Sequence, residues 1–303
     1  MLLFAAMDAS IISSEERGDV GLVVIARNEG ERLKACIRSI ADRAEYPMVY
    51  VDSGSTDGSV EWVRARGYVV VSLDMSLPFS AARARNAGFE RLRELNPQVN
   101  LVQFVDGDCV LASGWLPVAA NALRADSSLV VVCGGLLERF PEASIYNRIA
   151  EIGWESPPGE TLSCGGIFMV RASAFAAAGG FDPSVFAGEE PELCGRLRER
   201  GGRVYRLPHI MASHDAAMFT FRQWWTRQLR SGRFDMDIAH RFHTAPMQRY
   251  RRQVHVARFW GVGVPLLAVV LSWVANRALG PWAAFATLLA CLGIFPLQVV
   301  RIA

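Results

Sequence analysis

Two carboxylates one residue apart close an apolar run at Phe104-Val105-Asp106-Gly107-Asp108. The run itself, Leu101 to Val105, has the length and composition of a buried strand bounded by a turn signal. Carboxylates at the carboxyl end of such a strand sit where open α/β sheets bind ligands. Two of them side by side repel each other unless a cation neutralises them. A hard divalent ion, Mg²⁺ or Mn²⁺, suits all-oxygen ligands and commonly holds a substrate's phosphates as well. Asp-Gly-Asp is also a common turn, so the pair gains meaning only from its surroundings.

Those surroundings depend on the elements that carry the pair. Strand-like runs at Val20 to Ala26, Met48 to Val51, Tyr68 to Leu73, Leu101 to Val105 and Leu129 to Cys133 alternate with helical stretches. The helical stretches are Gly30 to Arg43, Ser59 to Arg66, Ser80 to Leu95 and Trp115 to Arg124. This alternation predicts an α/β fold with a Rossmann-like, mainly parallel sheet and helices on both faces. Ser80 is placed to cap the helix that follows it. Ala26-Arg27-Asn28-Glu29, Asp52-Ser53-Gly54-Ser55 and Asp106-Gly107-Asp108 each follow a strand. All three loops are expected at one edge of the sheet, and three polar loops at one edge predict a site. Between Gly134 and Thr161 no pattern assigns elements.

The 303 residues suffice for one sizeable domain plus something smaller. A formal net charge of +2 argues against a dedicated nucleic-acid binder. Cys36, Cys109, Cys133, Cys164, Cys194 and Cys291 are scattered through apolar runs without metal-ligand spacing, as expected of reduced core residues in a cytosolic domain. Met1 to Asp19 reads as a leader rather than a signal peptide, because its short apolar stretch has no basic residues before it and runs into Asp8. Phe259 to Ala275 and Leu279 to Val300 carry no charge, and about 20 apolar residues span a bilayer. Arg249-Tyr250-Arg251-Arg252 and Arg258 precede them, which favours a cytoplasmic start. The expected organisation is a leader over 1–19, a catalytic domain over 20–245, and a basic juxtamembrane segment with a transmembrane hairpin over 246–303. The domain would face the cytoplasmic side of the cytoplasmic membrane. A pair of buried core helices is the alternative to the hairpin.

Five motifs now stand in order. Val23-Val24-Ile25-Ala26-Arg27-Asn28-Glu29 opens the series, and Val51-Asp52-Ser53-Gly54-Ser55-Thr56-Asp57-Gly58-Ser59 follows it. Ala84-Arg85-Asn86-Ala87-Gly88 and Phe104 to Asp108 come next. Gly179-Gly180-Phe181-Asp182 with Gly188-Glu189-Glu190-Pro191-Glu192-Leu193-Cys194 completes it. From about Val20 to Ser231 the chain resembles the family 2 glycosyltransferases, which have the nucleotide-sugar-binding GT-A fold. In that family these segments are, in turn, the opening strand and loop, the base-binding turn, a helix start near the diphosphate, the metal motif and the acceptor-side segment.

The resemblance implies a role for each residue. Asp52 would accept a hydrogen bond from the nucleotide base, with Arg27 and Glu29 flanking base and ribose; a turn-stabilising Asp52 is the alternative. Arg85 would contact phosphate through its planar fork, and Arg83 would point elsewhere. Asp108 would ligate the metal directly, with Asp106 on the ribose or behind the ion. His214 is a further candidate ligand, since relatives often carry a metal-binding His there. Glu190 is the candidate base and Glu189 its rival. The family usually has Glu-Asp at this point, so the Glu here changes the reach by one methylene and not the chemistry. Both could instead be acids that favour a helix N-terminus. Gly165 and Gly166 would let backbone approach the sugar, or simply form a turn. Arg227 and Arg230 lie on an aromatic, basic helix and would close over the diphosphate, or else face lipid phosphates. The Gln-x-x-Arg-Trp spacing of processive relatives is missing, which favours one sugar per encounter.

The resulting expectation is an inverting, metal-dependent transfer from a nucleotide-diphosphate sugar, a UDP-sugar first, to a hydroxyl of a glycan or lipid-linked acceptor. Cell-envelope polysaccharide or glycolipid synthesis is the expected setting. One alternative is a sugar-phosphate nucleotidyltransferase, although Ala26-Arg27-Asn28-Glu29-Gly30 is not the Gly-rich basic loop of such enzymes. The other is a non-catalytic membrane scaffold, against which the retained Asp106, Asp108 and Glu190 argue.

Overall fold

The structure is a computed structural model and describes residues 18–41, 46–185, 187–242 and 248–295. The chain divides into two compact units, Met1–Phe234 and Asp235–Ala303. All but two residues of the expected leader lie outside the described residues.

The first unit is built on one sheet. Its described strands are β1 (Val20–Ala26), β2 (Met48–Asp52), β3 (Val69–Ser72), β4 (Leu101–Asp106), β5 (Cys109–Leu111), β6 (Leu129–Glu138), β7 (Gly159–Glu160), β8 (Phe168–Arg171) and β9 (Arg203–His214). Their order is β3-β2-β1-β4-β8-β6-β9-β5, with β7 also paired to β9. From β3 to β4 every pairing is parallel. Every residue of β1 and β2 is buried, as continuous apolar runs covered on both faces should be. The register sets Ala26 opposite Asp52 and Ile25 opposite Asp106, so three strand ends finish level.

Beyond β4 the sheet is mixed. β8 runs antiparallel to both β4 and β6, while β6 is parallel to β9. The reversal has a local consequence. Phe104 pairs with Phe168, so β8 begins where β4 ends, and the Cys164-Gly165-Gly166 turn arrives at the same edge as Asp106.

Helices cover the sheet. They are α1 (Glu31–Ala41), α2 (Ser59–Arg64), α3 (Ala81–Leu95), α4 (Trp115–Ala125), α5 (Ile145–Trp154), α6 (Ala172–Ala177) and α7 (Glu189–Glu199), and the largely exposed α8 (Phe221–Arg241) follows β9. Leu33, Cys36, Ile37 and Ile40 of α1 point into the core, as their spacing predicts. Ser80 accepts the backbone N–H of Arg83 at 3.2 Å and caps α3. Gly88 lets α3 lie close on the sheet, since a Cβ there would meet Val23 at 2.3 Å. Beneath the site Phe104 packs with Phe168, Phe175 and Phe181, ring centroids 5.2–5.7 Å apart.

The second unit is helical. α9 (Gln248–Arg258), a π-turn at Phe259–Gly263 and α10 (Val264–Leu279) run on as one helix, followed by α11 (Pro281–Leu292). Arg249–Leu279 is 31 residues long and contains an 18-residue stretch with a mean hydropathy of 1.8, enough by length and composition to cross a membrane. α11 is apolar but falls short of that length, and residues 296–303 lie outside the described ones. One candidate span is therefore described where a hairpin of two was expected.

Candidate active site

The three polar loops expected at one edge are joined by hydrogen bonds. Asn28 takes the left-handed conformation, φ 55°, which Asn tolerates better than most residues. It donates its N–H to Ser55 Oγ at 2.9 Å and accepts Thr56 N–H on Oδ1 at 2.8 Å. Gly30 N–H reaches Asp57 Oδ2 at 2.8 Å, and Gly107 N–H reaches the carbonyl of Ile25 at 2.9 Å. Asp52 is buried and holds its own turn: Oδ2 accepts Gly54 and Ser55 N–H, and Oδ1 accepts Tyr50 Oη at 2.9 Å. Arg27 stays exposed, its guanidinium 5.7 Å from the Phe79 ring centre.

The Asp106-Gly107-Asp108 motif splits into two environments. Asp108 Oδ2 lies 3.1 Å from His214 Nε2. The fold brings them together because β5, two residues beyond β4, pairs with β9 and sets Cys109 opposite His214. The potential ligand atoms of Asp108, Cys109 and His214 all lie within 4.8 Å of one another. Burial pushes the Cys109 thiol well above its usual range, and a protonated thiol is a poor ligand for a hard ion. The carboxylate and imidazole are the fitting pair. Their 3.1 Å separation suits neighbouring ligands about an octahedral ion with bonds of about 2.1 Å. Burial opposes charge on His214, but the Asp108 and Glu138 carboxylates outweigh it and lift the imidazole to about 9. Burial likewise works against the Asp108 carboxylate, yet His214 draws it below its ordinary value. Glu29, ion-paired to Arg32 at 2.6 Å, is pushed up to about 7 by burial and by nearby Asp108.

Asp106 faces the other way, toward Arg85. The Arg85 side chain is 3 % exposed and spends its two terminal nitrogens on protein acceptors. Nη2 reaches Asp106 Oδ1 at 2.9 Å and the Gly166 carbonyl at 3.3 Å. Nη1 reaches Glu189 Oε1 at 2.9 Å and Glu190 Oε1 at 3.0 Å. Arg85, expected to contact phosphate, is enclosed by three carboxylates. Arg83, expected to point elsewhere, donates to the carbonyls of Asp74, Leu77 and Pro78. The residue after Arg85 completes the junction: Asn86 Nδ2 donates to the Phe181 carbonyl at 2.8 Å and Oδ1 accepts Phe181 N–H at 2.9 Å. Both acidic candidates open α7. Burial, then the adjacent Glu189, pushes Glu190 up to about 7 against the pull of Arg85.

A third wall is basic. Arg222, Gln223, Arg227 and Arg230 of α8 and the 216–218 loop line a cleft of about 550 Å³, within the usual range for small-molecule sites. Arg227 lies over Trp154 at 5.7 Å, and Trp154 stands edge-on to His214 at 4.8 Å. Burial, then Arg230, lowers the pKa of Arg227, while Asp108 and Glu138 raise it. Trp154 and Glu138 were missed by sequence reasoning because both fall in the stretch where no pattern assigned elements. The sequence signal for Asn28 is an Asn just past a buried strand, a residue type that tolerates a left-handed turn.

A strand-end Asp-x-Asp, a mixed sheet and an acidic helix start beside it define a GT-A fold. The sequence model of the family described as glycosyl transferase family 2 matches residues 22–174, and the chain belongs to that family. It is 27 % identical over 253 residues to the pre-mycofactocin glycosyltransferase of Mycobacterium tuberculosis, covering 78 % of this chain and 51 % of that protein. The chain thus spans about half the length of that relative. To the succinoglycan biosynthesis protein ExoA of Rhizobium meliloti it is 25 % identical over 288 residues, 90 % of this chain and 83 % of the other. Among solved structures, the mannosyltransferase PcManGT of Pyrobaculum calidifontis in complex with GDP-Man and Mn²⁺ superposes with a TM-score of 0.60 at 16 % identity, covering 93 % of this chain and 80 % of that one. Staphylococcus aureus TarS 1-349 gives 0.55 at 14 % identity, with 89 % and 83 % covered. At these identities the two structures bear on the fold alone.

Proposed function

We propose that the protein transfers a sugar from a nucleoside-diphosphate sugar to an acceptor hydroxyl, with inversion at the anomeric carbon and dependence on Mn²⁺ or Mg²⁺. The observation that carries this reading is the Arg85 junction, which ties Asp106 of the metal motif to Glu189 and Glu190 of the acceptor-side segment at 2.9–3.0 Å.

Asp108 and His214 would hold the cation, with donor oxygens and water completing its shell. When bound, it neutralises charge that builds on the departing diphosphate. Arg227 and Arg230 face that charge from the basic wall. Asp52 shapes the base-side turn, and its Oδ1, which accepts one bond from Tyr50 Oη, keeps capacity for a donor from the base. Arg27 and Glu29 flank the same edge, and Gly165 and Gly166 close it from β8. Arg85 is a positioning residue that sets the first Asp and the base at a fixed spacing.

Glu190 takes the acceptor proton. The acceptor oxygen attacks the anomeric carbon, the bond from that carbon to the diphosphate breaks, and the proton ends on the Glu190 carboxylate. A base poised near 7 suits this task. A glycan or lipid-linked acceptor is supported by ExoA, described as a succinoglycan biosynthesis protein, and by the apolar Arg249–Leu279 helix, which favours work at a membrane. A UDP-sugar remains the first donor to try, with GDP-sugars beside it because PcManGT was solved with GDP-Man.

The test is binding of UDP, GDP, dTDP and CMP to the full chain, with and without Mn²⁺, in wild type and Asp108→Ala. Mn²⁺-dependent binding of one nucleotide that disappears in the variant supports the reading. Absence of any nucleotide binding overturns it, and pyrophosphate release from a sugar phosphate would replace it with nucleotidyl transfer.

A further inference from the structure

We propose that Glu138 is a positioning residue for His214: it holds the Nδ1 edge of the imidazole so that Nε2 is presented, beside Asp108, to a divalent cation. This rests on the metal reading above.

Glu138 ends β6 directly opposite His214, which ends β9. Its side chain is fully buried. A buried carboxylate is costly unless hydrogen bonds compensate it, and here they do so from several directions. Oε1 accepts Phe140 N–H at 3.0 Å and Asn147 Nδ2 at 3.4 Å, and Oε2 accepts Ala216 N–H at 3.1 Å. Asn147 is itself locked, donating to the Phe140 carbonyl and accepting Met218 N–H. The carboxylate therefore has little freedom, and its Oε2 lies 3.9 Å from His214 Nδ1.

That nitrogen has no hydrogen-bond partner among the described residues, and it is shielded from solvent. The other side of the ring is fixed by Asp108 at 3.1 Å and by the edge contact with Trp154. A neutral imidazole carries its proton on one nitrogen and offers a lone pair on the other. An acceptor facing Nδ1 keeps the proton there and leaves Nε2 as the ligand, which is the role carboxylates play behind metal-bound histidines. A shift of about 1 Å turns the present contact into a hydrogen bond. Three backbone and amide donors already satisfy Glu138 structurally, so its approach to Nδ1 is not needed to stabilise the carboxylate.

The experiment is a Mn²⁺ titration of the full chain followed by electron paramagnetic resonance, without nucleotide, in Glu138→Gln, His214→Ala and the double variant. Loss of such a partner typically weakens metal binding about 10- to 100-fold, and that loss is expected for Glu138→Gln. In the His214→Ala background the same change adds less than about twofold if it acts through the ring. Undiminished affinity in Glu138→Gln, or full additivity in the double variant, overturns the inference. Undiminished affinity in His214→Ala instead overturns the metal reading itself, so the two failures are distinct. Ser144→Ala removes a hydroxyl that donates to the Met218 carbonyl and accepts Asn147 N–H, with no bond of its own to Glu138 or His214; its affinity should stay at the wild-type value, and an equal loss there overturns the inference by assigning the effect to the loop. Where the Glu138 variants do not fold, ¹⁵N shifts of His214 in the Mg²⁺-loaded wild type decide: a proton on Nδ1 supports the inference and a proton on Nε2 overturns it.

Discussion

Gly166 lies so close to Asp106 that a single methyl group on it would meet the Asp106 carboxylate at 2.3 Å and the Arg85 guanidinium at 2.9 Å. The glycine is there because β8 runs antiparallel to β4 and delivers its first turn onto the metal motif. Gly166→Ala is expected to displace Asp106 or Arg85. Overpacking of this kind costs about 1–3 kcal/mol, and a misplacement of about 1 Å at a reacting centre lowers turnover about 100-fold. Steady-state rates and a melting curve check both. Wild-type turnover would show that the Asp106–Arg85 contact does not position anything.

Glu190→Gln keeps the size of the side chain and removes the base. A positioned general base is worth about 10²- to 10⁴-fold in rate, so turnover should fall by that order while donor binding persists. Glu189→Gln is expected to act more mildly. If the two effects are reversed, the base is Glu189, and near-normal turnover in both removes the carboxylates from the chemistry.

The pH profile follows from the same residue. Burial holds the Glu190 carboxyl at about 7. Below that value the protonated form prevails and cannot accept a proton; above it the carboxylate prevails. Turnover should therefore rise through pH 6 to 8 and then level off, instead of being flat from pH 5 as for an ordinary Glu. Arg85 pulls this pKa down, so Arg85→Gln should carry the rising limb to higher pH. A limb that stays in place in that variant would assign the profile to another group.

Arg227 sits over Trp154 beside the metal pair, and Arg230 lines the same cleft. A hydrogen bond to a charged group is worth about 1.5–3 kcal/mol. Arg227→Ala should weaken nucleoside-diphosphate binding by about 10-fold or more, with a smaller loss for the nucleoside alone. Calorimetry on both ligands distinguishes a diphosphate contact from a face turned to lipid, for which neither affinity changes.

The chain order made half of this site legible. β1, β2 and β4 are continuous apolar runs, so their ends and the polar loops beyond them could be located from sequence. Asp108 and His214 could be paired only through a resemblance, because β5 and β9 carry no clear period. The twelve residues of β9 alternate irregularly among buried, half-buried and exposed positions. Glu138 and Trp154 were hidden for a related reason: β6 leaves the core after Gly134-Gly135 with register shifts against β9, and there the pattern that betrays a strand is lost. Arg85 lies on the helix expected over Ser80 to Leu95, but its partners Asp106, Gly166, Glu189 and Glu190 are 21 to 105 residues away in the chain, and no spacing rule reports them.

Two consecutive residues of α3, Arg85 and Asn86, hold the segment that carries Glu189 and Glu190, one by its acids and the other by the backbone of Phe181. The segment is therefore not a freely exchangeable loop. A graft that moves residues 179–194 from one relative to another must bring matching partners on α3 with it, or the transplanted carboxylates will arrive without the struts that hold them. The smallest portable cassette is discontinuous: one helix turn and one distant segment that only the folded chain unites.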